Sequence, residues 1–199
     1  MVRDMSERLT AGDWIDLALA TLAREGFGAL KADVLARKLG ITRGSFYWHF
    51  TDLGTFHSRV IAHWKHAATD AIITDIEQYA APEERLNALL RHAFGRGGSL
   101  ESRMRTWAEN NAEAARAVND IDRRRREYIE RLLVEAGIEP SSAATRAQLL
   151  YWSYLGAALN GSRLVGEPLA RMVTELEHVA FGRVSGESTA FRARLRRRG

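Results

Sequence analysis

A chain of 199 residues can hold one domain with a real core, or a small domain joined to a mid-sized one. The absence of cysteine excludes disulfides, thiolate nucleophiles and cysteine-based zinc sites, and 46% hydrophobic content with three prolines suits a folded, helix-rich protein rather than a disordered one. The net charge of +4 misleads: Arg183 to Gly199 holds six arginines against one glutamate, so the body carries about −1 and overall basicity is no argument for nucleic-acid binding.

No apolar run approaches the roughly 20 residues of a bilayer span. The stretch Leu149 to Leu159 reads as a buried helix, and the opening Met-Val-Arg-Asp-Met-Ser-Glu-Arg is too charged for a signal peptide. These features predict a cytoplasmic protein with no membrane partner. Periodicity is helical throughout, which predicts an all-α fold of about nine helices.

The first helix opens at Thr10 with Asp13 three residues on, a capping box, and ends at Gly26. A short helix, Ala32 to Leu39, follows. Gly40 then supplies a tight turn, Ile41 an apolar plug and Thr42 the cap of a second short helix, Arg43 to about His49. A longer helix capped by Thr51-Asp52 carries Phe56, Val60, Trp64 and Ala68 at four-residue spacing. Pro82 starts a fifth, and Gly95, Gly97 and Gly98 break it. Two more span about Glu101–Glu109 and Ala112–Ala136. The eighth, Ser142 to Leu164, is apolar nearly all round, and the ninth covers Glu167 to Phe181.

Two short helices joined through Gly40-Ile41-Thr42 and packed on a first helix describe a helix-turn-helix. Its second helix must enter the major groove by its N-terminal end while its inner face stays apolar. Phe46 and Phe50 are four apart and fit the inner face, whereas Arg43, Ser45, Trp48 and His49 cannot all be core. Tyr47 can offer its hydroxyl to a phosphate. Gly44 gives up about 1 kcal/mol of helix propensity against alanine, a cost that close approach of backbone to DNA would explain.

The stretch Gly26 to Phe56, above all Gly44-Ser45-Phe46-Tyr47-Trp48-His49-Phe50, resembles the DNA-binding domain of the tetracycline-repressor (TetR) family. The segments Met104-Arg105-Thr106-Trp107 and Arg124-Arg125-Arg126-Glu127-Tyr128 look like one subgroup of it. The resemblance implies that Thr42, Arg43 and Ser45 begin the recognition helix, that Tyr47 and His49 contact phosphate, and that Trp48 is the variable residue between them. Lys31 stands where many members have a phosphate-touching threonine. Leu53 departs from the family, which often places a backbone-gripping lysine there.

The expected organisation is a helix-turn-helix domain over residues 1–51, a helical ligand-binding and dimerisation domain over 52–182, and a basic, disordered tail over 183–199. Arg192, Arg194, Arg196, Arg197 and Arg198 in that tail could add non-specific attraction to DNA. Phe94, Trp107, Asn110, Asn111, Tyr128, Trp152 and Tyr154 are candidates to line a ligand cavity, mixing apolar surface with a few polar groups. Gly156 and Ala157, with the stripe Leu169, Met172, Val173, Leu176 and Val179, are candidates for a four-helix bundle between two protomers. Arg123 to Arg126 advances 100° per residue and reads as a solvated, salt-bridged face, and His57, His63 and His66 read as a solvated helix face rather than a metal site.

The predicted function is a homodimeric, non-enzymatic regulator of transcription that binds a palindromic operator and needs no cofactor. Repression released by a small-molecule inducer is the family's default. Alternatives are an activator of the same fold and a helical adaptor without DNA binding.

Overall fold

The computed structural model describes residues 9–182, and the tail from 183 lies outside the described residues. Ten α-helices run as α1 (Ala11–Glu25), α2 (Ala32–Leu39), α3 (Arg43–His49), α4 (Leu53–Lys65), α5 (Ala71–Ile76), α6 (Pro82–Gly95), α7 (Ser99–Ala108), α8 (Ala112–Glu135), α9 (Pro140–Leu159) and α10 (Gly166–Phe181). A π-helical turn, His66–Asp70, joins α4 to α5 without a break, so nine helical rods and no strand make up the described residues. The sequence pattern gave no sign of that π turn.

Local chemistry sets most helix ends. Thr10 caps α1 through its side chain, and Asp13 returns a bond of 2.7 Å to the Thr10 backbone, completing the capping box. Gly40 ends α2 at φ +69°, a left-handed conformation that costs glycine little. Asn111 caps α8 by accepting from the Ala114 amide at 2.9 Å. Helix α9 stops at Leu159 rather than at Leu164. Gly161 turns the chain at φ +67°, and the segment after it folds onto the end of α6. There the Leu164 amide donates to the Phe94 carbonyl at 3.0 Å and Arg163 Nε to that of Gly95 at 3.1 Å. Gly98 is where this turn meets α9: a Cβ on it would lie 2.1 Å from the Ala158 carbonyl oxygen, so only glycine fits.

Two apolar clusters hold the fold. The first joins Trp14 and Leu22 of α1, Leu35 of α2, Phe46 of α3 and Phe56 and Val60 of α4 to Met104 and Trp107 of α7 and Ile121 of α8. The N-terminal helices are thus seated on α7 and the first half of α8, not hung from a linker. The second cluster packs α5 and α6 with the C-terminal half of α8, α9 and α10 through Leu86, Leu90, Leu133, Leu150 and Val173. No helix among the described residues is long and apolar enough to cross a membrane.

Candidate functional site

Helix α3 is fixed by one face and bare on the other. Phe46 is fully buried, its ring centroid 5.4 Å from that of Trp14 and 5.1 Å from those of Phe50 and Phe56. Such edge and tilted aromatic contacts set the rotation of a seven-residue helix that would not persist alone. Ile41 is half-buried, its amide bonded to the Ala36 carbonyl at 3.0 Å, which fixes the turn between α2 and α3.

Arg43, Gly44, Tyr47 and Trp48 face outward, with Trp48 88% exposed. Arg43 Nη2 donates to the Tyr47 hydroxyl at 2.9 Å and its guanidinium lies 5.6 Å from that ring's centroid. Thr42 caps the helix with its backbone while its exposed hydroxyl makes no cap bond. A Cβ at Gly44 would meet only Thr42 Oγ1, at an ordinary 3.6 Å, so packing within the protomer does not require glycine there. Ser45 corrects the expectation of an open outer flank: it is only 7% exposed, sitting 100° from Phe46 on the flank it shares with half-buried His49. Lys31 is exposed at the start of α2. Leu53, partly exposed, opens α4, where Asp52 caps the Thr55 amide at 2.7 Å.

A cavity of about 420 Å³ lies at the seam between the two apolar clusters. Of the residues expected to line a ligand site, Phe94, Tyr128 and Tyr154 do so. The other four lie elsewhere. Trp107 is buried in the first cluster, stacked on Phe27 at 4.6 Å; Asn110 is exposed in the α7–α8 turn; Asn111 is spent on its cap; and Trp152 is 61% exposed on the outside of α9. From Leu149 to Leu159 α9 is apolar nearly all round, so its sequence alone does not say which side Trp152 takes.

The polar wall of the cavity is an ionic cluster that sequence reasoning missed. Glu101, 5% exposed, accepts from Arg105 at 2.8 Å, from Arg125 Nη1 at 3.0 Å and from the Tyr154 hydroxyl at 3.2 Å. Arg105 also reaches Asp122 at 2.5 Å, and the Tyr151 hydroxyl donates to the same carboxylate at 2.6 Å. Burial raises the Tyr154 hydroxyl to about 12, and burial with the bond to Asp122 raises Tyr151 further, so both stay protonated as donors. Arg125 Nη2 donates to the Ala68 carbonyl in the π turn at 3.0 Å. The four-arginine run is therefore not one solvated face. Arg123 and Arg124 pair outward with Asp120 and Asp70, while Arg125 turns in. The signal available was Glu101 and Arg105, one helical turn apart and too polar for the positions they hold.

The dimerisation candidates divide as well. Val173 and Leu176 belong to the protomer's own second cluster, and Leu169 and Ala157 pack partly against it. Gly156, Met172 and Val179 are exposed, and with Leu149, Trp152 and Leu159 they form an apolar outer face on α9 and α10. On α4 and the π turn, His63 lies 3.5 Å from Asp16 and His66 3.5 Å from Asp70, and no group of three metal-type ligands occurs among the described residues.

An all-helical chain with a helix-turn-helix at its head and a cavity-bearing helical body is the class these features define. Residues 15–52 match the family described as bacterial regulatory proteins, tetR family. Solved structures with the same fold include Escherichia coli NemR in its reduced form, at 15% identity and TM-score 0.67 over 86% of this chain and 97% of that one. A transcriptional regulator from Saccharomonospora viridis in complex with choline aligns at 18% identity and TM-score 0.67, covering 89% and 98%. Bacillus subtilis FadR in complex with stearoyl-CoA aligns at 18% identity and TM-score 0.59, covering 85% and 97%. No curated protein sequence matches. The family match covers residues 15–52, and over the chain as a whole the likeness to these solved structures is one of fold.

Proposed function

We propose that this protein is a cytoplasmic, homodimeric regulator of transcription that binds a palindromic operator and is released from it by a small molecule held in the cavity. The observation that carries this reading is α3: a short helix locked by Phe46 and Phe50 that spends its outer face on Arg43, Tyr47 and Trp48. A helix presenting a cation, a phenol and an indole to solvent gains nothing for the fold. Set into a major groove, the same residues meet phosphates and base edges. The missing side chain at Gly44 favours close approach of backbone to the duplex. Lys31, Thr42 and His49 flank this surface, and Ser45 contributes by shape more than by an open hydroxyl.

The apolar outer face of α9 and α10 suits a two-fold bundle with a second copy. That would set two α3 helices at half-sites about one DNA turn, ~34 Å, apart. In this reading residues 1–51 read DNA, 52–182 bind ligand and partner, and action is by binding, not turnover. A coupling of ~1–3 kcal/mol between cavity and operator changes affinity ~5–150-fold. The choice of choline and stearoyl-CoA ligands in proteins of this fold supports a ligand-responsive body without naming this chain's ligand. A gel shift with DNA flanking the gene tests the reading: a sequence-specific complex lost on Tyr47→Ala, with helix content intact, is expected. Repression is distinguished from activation by whether a reporter rises or falls when the gene is deleted.

A further inference from the structure

The cavity's chemistry is specific enough to define what kind of molecule fits it. Its hydrocarbon wall comes from α4, α5 and α6, with Trp64, Ile72, Ile73, Leu90 and Phe94. The buried ions on its other wall are already matched. Glu101 lies between Arg105 and Arg125, and Asp122 answers Arg105. An anionic ligand would sit beside Glu101 and compete for guanidiniums that are already committed. A cationic one would find the Glu101 oxygens taken by two arginines and Tyr154. An ion buried without a dedicated partner is strongly disfavoured. His92 adds no charge at neutral pH, because burial and the nearby Arg96 and Arg125 lower its pKa. Arg96 lines the mouth but is exposed and solvated.

Thr69, in the π turn, and Tyr128, on α8, line the cavity with their carbon atoms only: both hydroxyl oxygens are covered, and that of Tyr128 lies among Glu77, Arg85, Arg131 and Glu135, none of which lines it. The wall therefore offers a ligand hydrocarbon and ions that are already paired. At about 420 Å³ the space is at the small end of ligand clefts.

We propose that the cavity selects an uncharged, mainly hydrocarbon molecule. This inference rests on the reading of the cavity as the ligand site. It also places the ligand against the π turn that continues α4, the helix packed directly on α1 and Phe46.

Calorimetric titration of the full-length protein with decan-1-ol, decanoate and decylammonium at neutral pH tests it. The three probes share a hydrocarbon body and differ in head charge. Decan-1-ol is expected to bind about tenfold or more tightly than either ion. Equal or tighter binding of an ion, or binding of none of the three, overturns the proposal. Operator release is measured separately by fluorescence anisotropy. Decan-1-ol that binds without releasing operator leaves the ligand class standing and removes the release reading. Release by decanoate or decylammonium alone does the reverse.

Discussion

Arg43 and Tyr47, one turn apart on α3, are joined by a 2.9 Å hydrogen bond from guanidinium to phenol on an otherwise unpacked surface. The bond holds both side chains side by side, so on the proposed reading less side-chain freedom is lost when α3 meets DNA. Arg43→Ala is expected to weaken operator binding roughly tenfold or more. If Arg43 meets a phosphate, it will also lower the salt slope of log K by about 1. Tyr47→Phe should have a smaller effect in the same direction, and neither variant should alter thermal unfolding. Anisotropy titrations between low and moderate salt check this; an unchanged affinity for both would remove α3 from the interface.

The Glu101 cluster is a stability element as well as a cavity wall. Removing the shared carboxylate leaves the buried Arg125 without an anionic partner, while Arg105 keeps Asp122, so Glu101→Ala should cost about 3–5 kcal/mol in urea unfolding. Asp33, exposed and 3.8 Å from Arg37, is the control: its alanine variant should change almost nothing. A Glu101 variant as stable as the wild type would mean that the cluster is held by something other than its ion pairs.

The outer face of α9 and α10 makes a separate prediction. Trp152→Asp, on the exposed flank of α9, should yield monomers in sedimentation velocity while leaving helix content unchanged. Val173→Ala, inside the protomer's own core, should lower stability without selectively dissociating the dimer. Dimers that survive Trp152→Asp would move the two-fold interface elsewhere.

His92 predicts a pH effect. Burial, with Arg96 and Arg125 nearby, lowers its folded pKa below the ordinary 6.5. The unfolded chain therefore takes up a proton first, and stability falls as pH drops from above 6.5 toward the lower folded value, then levels. His92→Gln should flatten that part of the profile in urea titrations from neutral to mildly acid pH; an identical slope in the variant would contradict the assignment.

Much of this was legible in the sequence, for reasons that can be named. The Thr10–Asp13 capping box, the Gly40 turn and the inward pair Phe46 and Phe50 each follow from local rules that tertiary packing did not override. Elements with a clear amphipathic stripe show their inner face in the sequence. Helix α9 does not, because a helix apolar on nearly every side does not say which side is inside; Trp152 and the split of Val173 from Met172 depend on neighbours distant in sequence. Arg125 is the same lesson in charge. Four consecutive arginines look equivalent until Glu101, on the neighbouring α7, selects one. Ser45 shows that a small polar side chain beside an inward aromatic can be buried even on a seven-residue helix.

The most direct test of the central claim is selection of DNA from a random-sequence library by the purified full-length protein, followed by measuring protomers per bound duplex. The account predicts one enriched palindrome with half-sites about one turn apart, two α3 helices per site, and loss of enrichment with Arg43→Ala. A correctly folded protein that enriches no sequence, or binds its best sequence as a single protomer, would contradict it.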